Sequence, residues 1–271
     1  MRKFCILLLF ILLSKNTVFA SYIGNPADPL LMSSGLFSGN NPWYKIVSGY
    51  VMDQSTEKHM VFASDDPNFE NIERVNSFSV ESNWGNLALI LVQRLELYIQ
   101  VGTSQEKIKW TSPPMPGFNS GNLGLSAKSD SHFSMNTGAK VILLEFARTL
   151  IGVDFHFFRI NAPGKFSYIL DRLNYPFNFG PQYLILRETE LSLGIARRIG
   201  FILTPYVGVS YLKTRLKIKA DGVKESLYFK NQKKWGTYFG GSINLTSKFN
   251  FSAEGRFGNE TAYSFSANTA F

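Results

Sequence analysis

Polarity along this chain switches at every second residue, segment after segment, and few folds can use that rhythm. At the C-terminus Tyr263, Phe265, Ala267, Thr269 and Phe271 alternate with Ala262, Ser264, Ser266, Asn268 and Ala270, which are all small or polar. On a strand the two sets face opposite ways. Leu95, Leu97, Ile99 and Val101 stand against Glu96, Tyr98, Gln100 and Gly102 in the same manner. The pattern recurs over 151–157, 188–195, 201–211, 235–245 and 249–257, and less regularly over 43–53, 78–92 and 137–146. A membrane barrel needs this dyad, with lipid wetting one face and lumen water the other. A soluble β-sandwich can share the period, so the connections must discriminate.

Gln93-Arg94, Ala147-Arg148, Arg198-Ile199-Gly200 and Ser247-Lys248 are very short connections. Those near 54–74, 105–132, 162–183 and 218–232 are long, and polar or rich in Pro and Gly. Short and long alternate until a brief last connection near Gly258–Glu260. Outer-membrane barrels have short periplasmic turns and longer external loops. The expected fold is therefore all-β, a transmembrane antiparallel β-barrel of outer-membrane type with about ten strands. An extra hairpin from Gly121–Lys128 and Phe166–Leu170 would bring the count to about twelve. Near Leu212 the outward alternation passes to Lys213, Arg215, Lys217 and Lys219. That reads as a strand leaving the membrane with a basic, twisted extension, or as a bulge.

Residues 1–20 read as a signal peptide. Arg2 and Lys3 precede an unbroken apolar run from Phe4 to Leu13, and Val18-Phe19-Ala20 supplies small residues for cleavage. The run is shorter than the ~20 apolar residues a membrane helix needs. Cleavage would remove the single cysteine, Cys5, and take Arg2, Lys3 and Lys15 out of a formal charge of +8. Residues 21–42 are expected as a periplasmic N-terminal segment and 43–271 as the barrel. Mean hydropathy is close to zero, as expected when polar and lipid-facing residues alternate. The expected location is the outer membrane of a bacterial cell.

Several stretches, taken in order, resemble the major outer membrane protein (porin) family of the chlamydiae. Gly24-Asn25-Pro26-Ala27-Asp28-Pro29 with Leu30 is similar to that family's mature N-terminus. The run from Asn86 to Tyr98 resembles its strand–turn–strand, and the run from Asn136 to Glu145 its glycine–alanine–arginine strand. Leu203-Thr204-Pro205-Tyr206-Val207-Gly208-Val209 is the nearest match. The chain resembles a shortened member, without the large external variable loops and without the family's envelope-linking cysteines. The resemblance implies an abundant general porin, often a homotrimer.

From the residues themselves, the expected function is a pore for diffusion of small hydrophilic solutes and ions. Glu96, Asp154, His156, Glu188, Glu190, Tyr206, Tyr238, Glu254 and Arg256 fall on inward positions and are the candidate pore-lining set. The alternative is a filled, non-conducting structural or adhesive barrel acting through its external loops, because barrels of few strands are filled by their own side chains. Asp154-Phe155-His156 beside Glu188-Thr189-Glu190 is similar to the D-x-H pairing of ten-stranded outer-membrane proteases. At mid-barrel a protein substrate would not reach it, so no enzyme is expected.

Tyr263, Phe265 and terminal Phe271 are the expected signal for the barrel assembly machinery. Trp43, Tyr44, Phe201, Trp235, Phe249 and Phe271 read as an interfacial girdle. Lys213–Lys219 with Lys224, Lys230, Lys233 and Lys234 form a basic cluster on the external side. Its plain reading is a solvated loop face that holds sheet edges apart, and its functional reading is contact with anionic lipopolysaccharide or host glycans. Outer-membrane lipid and lipopolysaccharide are the expected partners. No nucleic-acid partner, cofactor or metal is expected; His59 and His132 lack neighbours at metal-ligand spacing.

Overall fold

A computed structural model describes residues 22–31, 43–63, 74–112, 123–170, 173–200, 202–220, 226–245 and 249–271. The expected signal peptide, Phe201, Lys224 and the tips of several loops lie outside the described residues.

The strands are β1 (Tyr44–Lys58), β2 (Met60–Phe62), β3 (Arg74–Leu91), β4 (Leu95–Ser112), β5 (Leu123–Ser129), β6 (His132–Phe146), β7 (Thr149–Leu170), β8 (Leu173–Arg197), β9 (Leu203–Ala220), β10 (Leu227–Asn231), β11 (Trp235–Asn244), β12 (Phe249–Phe257) and β13 (Glu260–Ala270). One short helix, α1 (Asp28–Leu31), precedes them. Every ladder is antiparallel, and the sheet closes where β1 pairs with β13. Two pairs of segments are single strands with a break. β5 and β6 run in line between β4 and β7, interrupted at Asp130-Ser131. β10 and β11 run in line along β9. With β2 prolonging β1, the described ring has ten staves. It is an antiparallel β-barrel of outer-membrane type.

Gly121–Lys128 and Phe166–Leu170 do not make a separate hairpin, so the count does not rise to twelve. Ala127 pairs with Phe166 and Leu125 with Tyr168, as outward continuations of two staves. The long loops expected at 162–183 and 218–232 are likewise largely ladder: Leu170 pairs with Leu173, and Leu227 with Ile218.

Several strands are far longer than a bilayer requires. A crossing needs about 9–11 residues, whereas β7 has 22 and β8 has 25. The surplus lies beyond the apolar belt, on the side away from the termini. There the chemistry of both faces inverts without any change of geometry. On β9 the outward residues Leu203, Val207, Val209 and Tyr211 give way to Lys213, Arg215, Lys217 and Lys219. The inward residues Thr204, Tyr206, Gly208 and Ser210 give way to Leu212, Thr214, Leu216 and Ile218. β9 keeps register with β8 throughout, from Gln182–Ala220 to Ala196–Tyr206, so the suspected bulge is absent there. The reason is the solvent: below the transition lipid is outside, and above it water is.

The upper storey therefore has an ordinary apolar core. Phe78, Val80, Trp84, Ile108, Trp110, Phe158, Ile160, Leu184, Leu186, Leu216, Ile218 and Phe229 form one buried cluster. The barrel also narrows there. β12 and β13 end at the Gly258-Asn259 turn, and above it β10 pairs directly with β2. Eight segments then surround the core, a number whose side chains fill the interior.

Candidate functional site

Among the described residues the strands converge many polar side chains in the lower lumen. All nine expected lining residues do point inward, but none faces open water; Glu96, the most accessible, is 7% exposed. They pack against one another and against a segment expected elsewhere. Residues 22–31 lie inside the barrel, not free in the periplasm, which corrects the reading of 21–42 for the part that is described.

Inward glycines make room for that segment. A Cβ on Gly152 would meet the Pro26 carbonyl oxygen at 2.8 Å, and one on Gly194 would meet the Pro26 ring at 3.0 Å as well as the Tyr238 hydroxyl. Polar groups then fix it. Ile23 and Gly24 N–H donate to the two Glu254 oxygens at 3.2 and 3.0 Å. Asn25 Nδ2 donates to Ser242 Oγ at 2.8 Å, while Asn25 Oδ1 accepts from Ala27 N–H at 2.9 Å. Tyr22 and Ser252 hydroxyls bond at 2.6 Å. Asp28 pairs with Lys140 at 2.8 Å, and that ammonium sits 5.4 and 5.6 Å from the Tyr22 and Tyr98 ring centres. Ile23 and Ala27 join Ile142, Leu150, Ala196, Tyr206 and Tyr238 in a small apolar cluster.

Above the segment lies an ionic layer. Arg256 pairs with Asp53 at 2.7 Å, Glu254 at 3.0 Å and Glu260 at 2.9 Å. Lys58 pairs with Glu188 at 2.6 Å and Glu260 at 3.2 Å, and Thr214 donates its hydroxyl to Glu188 at 2.7 Å. His156 lies between Asp154 at 3.0 Å and Glu190 at 3.3 Å, and Tyr98 donates to Asp154 at 3.0 Å. Asp53 and Lys58 are five positions apart, so a regular strand would send them to opposite faces. A register shift between Ser55 and Glu57 turns both inward. Buried charges are costly unless paired, and each charge named here has an ion-pair partner in a side-chain web around one guanidinium, although neither carboxylate oxygen of Glu190 or of Glu260 has hydrogen-bond geometry.

The D-x-H constellation is thus present as geometry and is buried. Asp154, His156 and Glu190 are at most 3% exposed, with the segment below them and the apolar core above. Sequence reasoning missed Asp53, Lys58, Lys140 and Glu260. Lys58 sat in an expected loop and Glu260 in an expected turn, while Asp53 and Lys140 lay in segments of irregular alternation. The residues beside expected metal-free histidines behave plainly: His132 begins β6 at the surface, and the His59 carbonyl accepts from Gln232 N–H at 2.7 Å. Among the described residues no group of His, Cys, Asp and Glu is arranged to hold a metal.

Outside, Trp43, Tyr44, Trp235, Phe249 and Phe271 are exposed at the belt, as are Tyr263 and Phe265. β13, which carries Tyr263 and Phe265 and is followed directly by Phe271, sits between β1 and β12 at the closing seam.

No family model matches the chain, and no curated protein does. Among solved structures it is similar to the outer membrane protease OmpT of Escherichia coli, at 10% identity over 84% of this chain and 93% of that one, with a TM-score of 0.42. It is also similar to the Ralstonia pickettii toluene transporter TbuX, at 10% identity over 94% of each chain and a TM-score of 0.37. A Pseudomonas aeruginosa FadL homologue gives 9% identity over 94% and 99% of the two chains, with a TM-score of 0.38. Likenesses this distant assign no role, and the reading of function rests on the lumen.

Proposed function

We propose that this protein is exported to the outer membrane of a bacterial cell and stands there as a closed barrel, a structural and surface-presenting protein and not an enzyme. One observation carries this: the interior is occupied at every level by the protein's own groups. Residues 22–31 fill the lower lumen, the Arg256 layer spans the middle, and Trp84 meets Phe158 across the upper core with ring centres 5.6 Å apart. What the chain offers its surroundings is then its outer storey.

The porin reading keeps one supporting observation, the glycine-lined polar lower lumen that a displaced segment would leave behind. Kinship to the chlamydial porins, and with it a trimeric state, is proposed on the ordered sequence stretches alone. Planar-bilayer recording separates the two. The closed barrel gives no conductance steps while retaining the heat-modifiable migration of a folded barrel. Stable, weakly ion-selective steps from the same preparation would overturn it in favour of a porin.

A further inference from the structure

Four cations stand side by side on the outer wall. Arg159 is the cross-strand partner of Arg187, Arg187 of Arg215, and Arg215 of Lys230. All four are exposed. At about 4.8 Å between neighbouring strands the row covers roughly 14 Å. Lys213 and Lys217 stand two residues to either side of Arg215 on the same face, with Lys217 held 5.1 Å from the Tyr228 ring centre. Like charges directly opposite one another destabilise a sheet, and among the described residues no ion pair offsets them. The only ion pair between exposed side chains among the described residues is Lys165–Asp130, at 3.5 Å. Glu188 and Glu190, the acids nearest in sequence to Arg187, point into the lumen and are engaged by Lys58 and His156.

The height of the row says what kind of anion would balance it. Phe155 on β7, Leu191 on β8 and Val209 on β9 are exposed members of the apolar belt. Arg159, Arg187 and Arg215 come four, four and six residues above them on the same outward faces. The row thus lies where the hydrocarbon of the outer leaflet gives way to headgroups. Guanidinium forks bind phosphate oxygens bidentately, and three of them beside an ammonium suit a headgroup with more than one phosphate.

We propose that Arg159, Arg187, Arg215 and Lys230 form a binding site for the phosphates of a phosphorylated outer-leaflet glycolipid, whose acyl chains lie against the belt of β7–β9. A free anion would gain nothing from that belt. The site rests on the outer-membrane reading but not on whether the lumen conducts.

The test uses the full barrel in zwitterionic detergent, titrated with bis-phosphorylated lipid A and followed by native mass spectrometry. Wild type binds, and the Arg159→Gln/Arg187→Gln/Arg215→Gln/Lys230→Gln variant binds at least roughly 30-fold more weakly, as the loss of several charge-assisted contacts requires. Dephosphorylated lipid A should bind wild type no better than it binds the variant. Undiminished binding by the quadruple variant overturns the site. Equal affinity for inorganic phosphate, or for phosphatidylglycerol, overturns the assignment to a glycolipid. Arg187→Glu supplies a readout independent of the quadruple variant's folding. A carboxylate between two arginines should raise the unfolding midpoint in lipid-free detergent while weakening lipid A binding; a lowered midpoint, or unchanged binding, would mark the row as structural. Sedimentation of the chain with the outer membrane, checked separately, tells failure of the site from failure of the outer-membrane reading.

Discussion

At the scale of single residues, two turns carry backbone strain. Val92 and Gln93 have φ of 52° and 56°, and Ala147 and Arg148 have φ of 44° and 69°. Turns whose two central residues are both left-handed favour Asn-Gly because other residues resist that region, β-branched ones most of all. Replacing Val92→Asn with Gln93→Gly should therefore stabilise the barrel by about 1 kcal/mol, measured as a raised midpoint of urea unfolding in detergent. Arg256 works in the other direction. Its guanidinium pairs with all of Asp53, Glu254 and Glu260, and of these Glu260 also reaches the Lys58 ammonium. Arg256→Leu leaves three carboxylates facing one another and should cost roughly 3–5 kcal/mol, the usual penalty for orphaning a buried charge. Adding Asp53→Asn to that variant should recover part of the loss in the same unfolding assay. Recovery of nothing would mean that the layer is not electrostatically coupled.

At the scale of elements, the N-terminal segment and the strands that house it are matched by small residues. Gly152→Val puts methyl groups where the Pro26 carbonyl lies. Its expected outcome is expulsion of the segment, read as fast maleimide labelling of an Ile23→Cys reporter that is protected in the parent barrel. Protection unchanged by Gly152→Val would show the segment to be held by the Glu254 bonds alone. The period-two pattern announced the ten staves, because each alternating run in the sequence lies on one of them, and the expected short connections at 93–94, 147–148 and 198–200 fell at turns, Ser247-Lys248 lying outside the described residues. At Lys213–Lys219 it read rightly as a strand leaving the membrane with a basic extension, since the rhythm continues while the medium against the outer face changes. It failed further out, where 162–183 and 218–232 were expected as loops and are largely ladder. Lys58 and Glu260 were lost to the expected loop and turn for a related reason, since polar residues in a long connection look alike whether they reach water or a buried partner. Nothing in the sequence marked Pro26 as an occupant of the lumen, because that depends on glycines far away in β7 and β8.

At the scale of the whole molecule, the barrel has two storeys with opposite interiors, and each blocks passage independently. Deletion of residues 22–31 should open only the lower one, so that variant is expected to remain silent in planar bilayers. Deletion combined with Trp84→Ala and Phe158→Ala, which removes the ring pair spanning the upper core, should give conductance. Each aromatic truncation alone is expected to cost about 3–5 kcal/mol of stability. Conductance from the deletion alone would place the constriction in the N-terminal segment and not in the core.

The inversion also acts as a depth gauge. Sinking by two residues, about 6.6 Å along a strand, would draw Arg159, Arg187 and Arg215 toward hydrocarbon, at a cost that climbs to about 2–4 kcal/mol for each at the midplane. Rising by the same step would wet Phe155, Leu191 and Val209, losing about 25 cal/mol for every Å² of apolar surface uncovered. The protein is penalised for drifting either way, so where the leaflet is thicker or thinner than the belt, the lipids nearest the wall are the ones that must stretch or compress.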